Sequence, residues 1–188
     1  MSTAYTATGL SGLSTGTWNI DPVHSEVAFS VRHMMVGKVR GRFTSFGGEV
    51  SVADDGAATV NATIDVSSVD TQNAQRDEHI RSGDFFDAAT HPNITFRSTG
   101  LRAHGGKTYL DGELTLHGVS RPVTLELEVG GVTKDPYGLL RAGFSAETEI
   151  ERKDYGISIN MPMDGGGVVV GDKVKISLEI EAVLQQAA

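Results

Sequence analysis

The side chains best suited to chemistry in this 188-residue chain are its six histidines. His24 and His33 flank one apolar run, His79 follows Asp77-Glu78, His91 precedes Pro92, and His104 and His117 lie near turns. None has the HExxH spacing that puts two imidazoles on one helical face around zinc. A nucleophile pair at His24-Ser25 fails on geometry, because adjacent strand residues point to opposite faces, and no GxSxG elbow is present. The chain has no cysteine. Thiolate catalysis, disulfides and cysteine-ligated zinc are therefore excluded. Gly165-Gly166-Gly167 lacks the Lys-Ser/Thr of a phosphate loop and reads as a flexible loop before the last strand. The remaining acid/base group is Arg76-Asp77-Glu78-His79. It suits either a cavity mouth or a solvated helix face.

The elements that must position these groups follow a period of two. Val23, Ser25, Val27, Phe29, Val31 and His33 share one parity against Glu26, Ala28, Ser30 and Arg32, so the run reads as one strand from Val23. The same apolar/polar alternation recurs at 60–66, 94–97, 110–116, 123–129, 140–147 and 174–182, as half-buried strands require. With a strand around Val39–Val52 this predicts about eight strands. Phe43 is out of parity with Phe46 and Val50 there, and Gly47-Gly48 suggests a bulge. Turn signals separate the runs at Asp54-Asp55-Gly56, Gly105-Gly106, Gly118, Gly130-Gly131 and Pro136 with Gly138. One helix is predicted near residues 73–82, capped by Thr71 or Asn73 and stopped by Gly83, with an Asp77–Arg81 pair. A short helical turn is expected at Glu151–Tyr155. Both a sandwich and a closed barrel satisfy this pattern. Ala62, Ala142, Ala146 and Ala182, with Gly41 and Gly112, leave room on the apolar parity, and cavity against filled core stays open.

The length suits one domain, here residues 17–188 after a Ser/Thr/Gly-rich leader over 1–16 that reads as flexible unless it packs as an arm or lid. The net charge of -8 argues against nucleic acid as a partner. The leader has no basic residue and no apolar core, so a cytoplasmic location is expected. No run approaches the roughly 18 apolar residues of a membrane span, so no stable membrane insertion is expected. A homodimer is compatible with the exposed strand faces.

Five segments together resemble the YceI-like family: Trp18–Met34, Gly41–Val50, Arg76–Thr99, Gly112–Leu125 and Ala142–Ile157. Their order and spacing match, from Trp18 nearly to the end of the chain. The resemblance implies an all-β, eight-stranded antiparallel lipocalin-like barrel with a long central pocket and no catalytic centre. It also implies that the barrel binds, and carries or stores, a polyisoprenoid or similar long-chain amphiphile. No cofactor is implied beyond a bound lipid or isoprenoid quinone. On that reading the apolar wall comprises Phe29, Val31, Phe43, Ile64, Phe96, Leu114, Leu127, Phe144 and Ile176, with Phe85 and Phe86 capping one end. His33, Arg76, His79 and Arg152 would meet a polar head group at the mouth, and no metal is expected. The competing reading is a hydrolase or isomerase that uses His and Asp at that mouth.

Overall fold

A computed structural model of the chain describes residue 10 and residues 12–161 and 163–187. Among these, the strands are β1 (Gly16–Ile20), β2 (Glu26–His33), β3 (Gly37–Phe43), β4 (Phe46–Val52), β5 (Ala58–Asp65) and β6 (Val69–Asp70) in the first part of the chain. After helix α1 (Ala74–Arg81) come β7 (Asn93–His104), β8 (Lys107–Leu116), β9 (Val119–Lys134), β10 (Leu140–Glu151) and β11 (Val170–Leu184).

These strands form eight antiparallel paths that close into a barrel. Three of the paths are interrupted. β1 and β2 both pair with β11 and are one path broken at residues 21–25. β3 and β4 pair with β2 and β1 respectively and are one path broken at Thr44-Ser45. β5 and β6 pair with β4 and β3 and are one path broken by a 3-10 turn at Val66–Ser68. The remaining strands follow in sequence order, and the β1–β11 pairing closes the ring. Closure removes the exposed edges that an open sheet would carry. The sandwich alternative is therefore set aside.

The breaks are held by side chains. At the first, Asp21 N donates to Glu181 O, Glu181 N donates to Ser25 Oγ at 2.9 Å, and His24 Nδ1 lies 2.8 Å from Asp21 Oδ2. Ser25 thus substitutes for a missing ladder bond to β11, while His24 fastens the break to Asp21. The second break falls at Thr44-Ser45 rather than at Gly47-Gly48. It lets both Phe43 and Phe46 face inward. The glycine pair stays within the strand because a Cβ on Gly48 would lie 2.2 Å from Asn61 O on β5.

Helix α1 begins where predicted. Asn73 is the N-cap, its side chain accepting from Arg76 N, and Ser82 ends the helix before Gly83. The expected Asp77–Arg81 pair does not form. Asp77 is buried and accepts from Thr71 N at 2.8 Å and Thr71 Oγ1 at 2.6 Å, while Arg81 reaches Ser67 O. Satisfying a buried donor outweighs an exposed i,i+4 ion pair worth a few tenths of a kcal/mol. The expected turn after β10 is a 3-10 turn at Arg152–Tyr155.

Two apolar clusters pack toward the two ends of the barrel. One gathers around fully buried Trp18, with Val50, Val52, Leu101, Ala142 and Ala182. The other lies under α1, with Val66, Val69, Ile94, Leu116, Tyr155 and Ile157. Leu10 is buried in the first cluster, so this part of the leader packs; its residues 1–9 and 11 lie outside the described residues.

Candidate functional site

The inward parity of all eight paths surrounds one cavity of about 650 Å³. That volume falls within the range of roughly 300–1,000 Å³ of small-molecule sites. Along β11 its lining runs from Val170 to Ile180. At ~3.3 Å per residue and a strand tilt of about 40°, this is roughly 25 Å along the barrel axis. A sphere of the same volume would be about 11 Å across, so the space is elongated. At one end it meets Leu10, Ile20 and Val50 beside the Trp18 cluster; at the other it reaches His33, Arg76 and Met161.

All the wall residues named from the sequence line this cavity: Phe29 and Val31 from β2, Phe43 from β3, Ile64 from β5, Phe96 from β7, Leu114 from β8, Leu127 from β9, Phe144 from β10 and Ile176 from β11. Phe85 and Phe86 also face it, from the loop after α1. That loop folds back on the helix, with Phe86 N donating to Ile80 O and Ala88 N to Arg81 O. The rings of Phe29, Phe43 and Phe86 form a chain, with centroids 5.6 Å and 6.0 Å apart. Aromatic contact of this kind holds the cap over the barrel end. Further lining residues were not singled out, among them Val39, Val60, Leu125, Ile150, Val174, Leu178 and Ile180. Their parity was the available signal.

The small residues divide by role. A Cβ on Gly41 would sit 2.4 Å from Phe29 Cζ, and one on Gly112 would sit 2.4 Å from Phe96 Cζ. Both glycines are therefore covered by aromatic rings and add no free space. Ala142 and Ala182 are fully buried in the Trp18 cluster. Of the small residues first read as leaving room, Ala62 and Ala146 do line the cavity.

The four expected mouth residues all border the cavity, yet they differ in what they can offer. Arg152 is buried. Its Nε donates to Gly171 O, Nη1 to Ile157 O and Ile159 O, and Nη2 to Val170 O and Asp172 Oδ1. A guanidinium has five N–H donors, and all five are taken. Arg152 is thus a brace for the 157–171 segment, which corrects its assignment as a head-group donor. Burial lowers its pKa, and the Asp172 charge works the other way. Arg76 is exposed and commits Nε and Nη2 to Thr71, while Nη1 has no hydrogen-bond partner among the described residues. His33 is exposed at the end of β2. His79 Nε2 lies 2.9 Å from Asp84 Oδ2, both more than half exposed. Arg32 and Asn160 also border the mouth, and neither was anticipated.

Two further groups have metal-compatible donor sets: Asp21, His24 and Glu181; and Asp87, His91 and His117. In the first, Arg141 Nη1 bonds Asp21 Oδ2 at 2.9 Å and Glu181 Oε1 at 2.8 Å, so a cation already sits between the carboxylates. Burial alone would raise the Asp21 pKa, but hydrogen bonds from His24, Arg141 and the Val23 amide hold it at about 2. In the second, His117 Nδ1 donates to Tyr155 O at 2.9 Å, and the His91 ring packs over Gly118, where a Cβ would lie 2.6 Å away. This group fastens the cap loop to the β8–β9 turn.

Among known proteins, the family model for the YceI-like domain matches residues 18–182. A UPF0312 protein of Vibrio campbellii is 42% identical over 139 residues, spanning 72% of this chain and 74% of that protein. The crystal structure of BcnA from Burkholderia cenocepacia superposes with a TM-score of 0.73 at 25% identity, over 86% of this chain and 98% of the other. A polyisoprenoid-binding domain from Saccharophagus degradans, implicated in plant cell wall breakdown, shares the fold with a TM-score of 0.70 at 19% identity, over 92% and 100% of the two chains.

Proposed function

The chain belongs to the YceI-like domain family, and on that footing we propose that it binds a polyisoprenoid or similar long-chain amphiphile inside the barrel and acts as its carrier or store. One observation carries the reading: the elongated interior, whose walls are almost wholly aliphatic and aromatic while its polar groups gather at one end. An apolar tail transferred into such a space gains roughly 25 cal/mol per Å² buried, less the cost of ordering it. The polar end offers cationic and imidazole donors from Arg32, His33 and Arg76 to an anionic or carbonyl-bearing head group. An isoprenoid quinone satisfies the same geometry. A cytoplasmic site of action is part of the proposal, to be checked by fractionation.

Catalysis is not part of it. At the mouth, the His79–Asp84 pair is the arrangement that would serve a hydrolase or isomerase, and it is solvent-exposed. The nearby Ser82 hydroxyl bonds only the backbone of His79 and Asp84, and no nucleophilic side chain bonds the His79 imidazole among the described residues.

Native mass spectrometry and solvent extraction of the purified protein test the reading. The expected result is a co-purifying species with a long apolar tail. Ala146 lines the cavity from β10 toward the Trp18 end, between Leu127 and Leu178 of the flanking strands. Ala146→Phe should reduce retention about tenfold or more by filling that volume. A wild-type barrel that neither carries nor takes up any prenyl chain, fatty acid or fatty amide would sink the proposal.

A further inference from the structure

The described residues expose seven large apolar side chains, and four of them cluster at the mouth of the cavity: Met34 at 43%, Met35 at 59%, Val36 at 87% and Met161 at 64%. The first three form the tip of the β2–β3 hairpin. The 161–169 segment lies against it: Met34 N donates to Val169 O at 2.8 Å, Val169 N donates to Met161 O, and a Cβ on Gly167 would meet Met35 Cγ at 3.0 Å. The patch is therefore continuous across two segments.

The turn chemistry is unusual in a way that bears on use. Met34 has φ 50° and Met35 has φ 62°. Consecutive left-handed residues in a hairpin favour Asn-Gly, and a longer side chain there is strained. Two methionines therefore occupy strained positions at which they stand exposed, in the region where strain marks functional sites.

Charge reinforces the pattern. Residues 27–48 contain Arg32, Lys38, Arg40 and Arg42 with no Asp or Glu, in a chain of net charge -8. Arg42 faces Asp70. Arg32, Lys38 and Arg40 are exposed, and no carboxylate pairs with them among the described residues. Arg32 and Lys38 are direct cross-strand partners, so like charges oppose each other, which costs stability unless an external anion relieves it. Acids also lie at this end: Asp84, held by His79; Asp172, held by Arg152 and Lys153; Glu149, held by Lys173; and exposed Glu78, Glu151, Asp154 and Asp164, none of which pairs with the hairpin's Arg32, Lys38 or Arg40 among the described residues.

We propose that the Met34-Met35-Val36 tip with Met161 is a docking surface for an anionic lipid bilayer, inserted at head-group depth with Arg32, Lys38 and Arg40 on the lipid phosphates. Apolar insertion plus basic residues is the combination that holds peripheral proteins to such surfaces. Docking there turns the cavity mouth toward the membrane, so a lipid tail passes between bilayer and barrel without crossing water. The inference rests on the lipid-carrier reading and adds where the exchange takes place.

The test is flotation of the full chain with phosphatidylcholine vesicles, with and without phosphatidylglycerol, at low and high salt. In parallel, binding of a short soluble prenol is measured by calorimetry without vesicles. Wild-type protein should float with the anionic vesicles only, and high salt should release it. Met34→Asn with Met35→Gly supplies the residues the turn prefers. It should hold or raise the melting temperature while weakening flotation about tenfold or more. Lys38→Glu with Arg40→Glu should weaken it by about fivefold per charge removed, and more for the reversal. Prenol binding should be unchanged in both variants. Absent flotation of the wild type, or equal flotation of the Asn-Gly variant, overturns the docking surface, as does a protein partner on these residues without vesicle binding. Lost prenol binding with intact flotation overturns the carrier reading and leaves the docking surface standing.

Discussion

Substituting alanine for Gly112 separates two ways in which a barrel wall can yield. The added Cβ would lie 2.4 Å from Cε2 and Cζ of Phe96 and 2.8 Å from Arg97 O. Ordinary carbon contacts are about 3.5–4.0 Å, so the ring must retreat by about 1 Å or more. The cavity provides space for the ring. The Arg97 carbonyl has no such freedom, because β7 is laddered to β8 through Phe96–Leu114 and Arg97–Glu113 on one side and to β5 on the other. Overpacking against backbone costs typically 1–3 kcal/mol. Relief of glycine's strand penalty returns roughly 0.5–1 kcal/mol. The net loss expected is about 1–2 kcal/mol, or roughly 2–8 °C in melting temperature for a domain of this size. Gly41→Ala is the control. The three atoms nearest its Cβ would all be side-chain atoms, Phe29 Cζ at 2.4 Å, Phe29 Cε1 at 2.8 Å and Thr71 Cγ2 at 3.0 Å, so it should cost less. Thermal and urea unfolding of both variants decide the matter. A Gly112→Ala protein as stable as wild type, or a Gly41→Ala protein that is the weaker of the two, would refute the idea that rings over glycines set the wall.

Two other outcomes follow from the geometry. Arg152→Lys keeps the charge but has at most three donors for five acceptors; leaving two carbonyls or carboxylates unmet should cost about 2–4 kcal/mol, with faster hydrogen exchange confined to residues 157–171. Acid stability should depend on the Arg141 network, in which Asp135, bonded by Arg141, and Asp21 both titrate below the usual 3.8. A depressed folded pKa contributes stability above the unfolded value that is lost as pH falls through the folded one, so melting temperature should drop between about pH 4 and pH 2, and Arg141→Gln should flatten that slope while lowering stability at neutral pH.

The local periodicities determined much. Period-two runs placed most of the strands, but they did not mark β1 or β6 and started the first run at Val23, inside the break before β2. Asn73 and Ser82 bracketed the helix within a residue, and the inward parity contained most of the residues that line the cavity, because side-chain alternation is a property of the strand itself. Those same periodicities allowed a sandwich as readily as a barrel. Only the pairing of the β1/β2 path with β11, between the two ends of the chain, decided for closure. The family resemblance carried the expectation of a barrel and a pocket; alternation alone did not.

What tertiary structure decided were questions of who satisfies whom. Gly41 and Gly112 read as empty space until Phe29 and Phe96 were found over them. Arg152 read as a head-group donor until five acceptors converged on it from residues 157–172. Asp77 read as a surface ion-pair partner until Thr71 claimed it. In each case the governing term is the requirement that buried volume be filled and buried polar groups be bonded. That requirement acts between residues far apart in sequence, and spacing along the chain does not encode it.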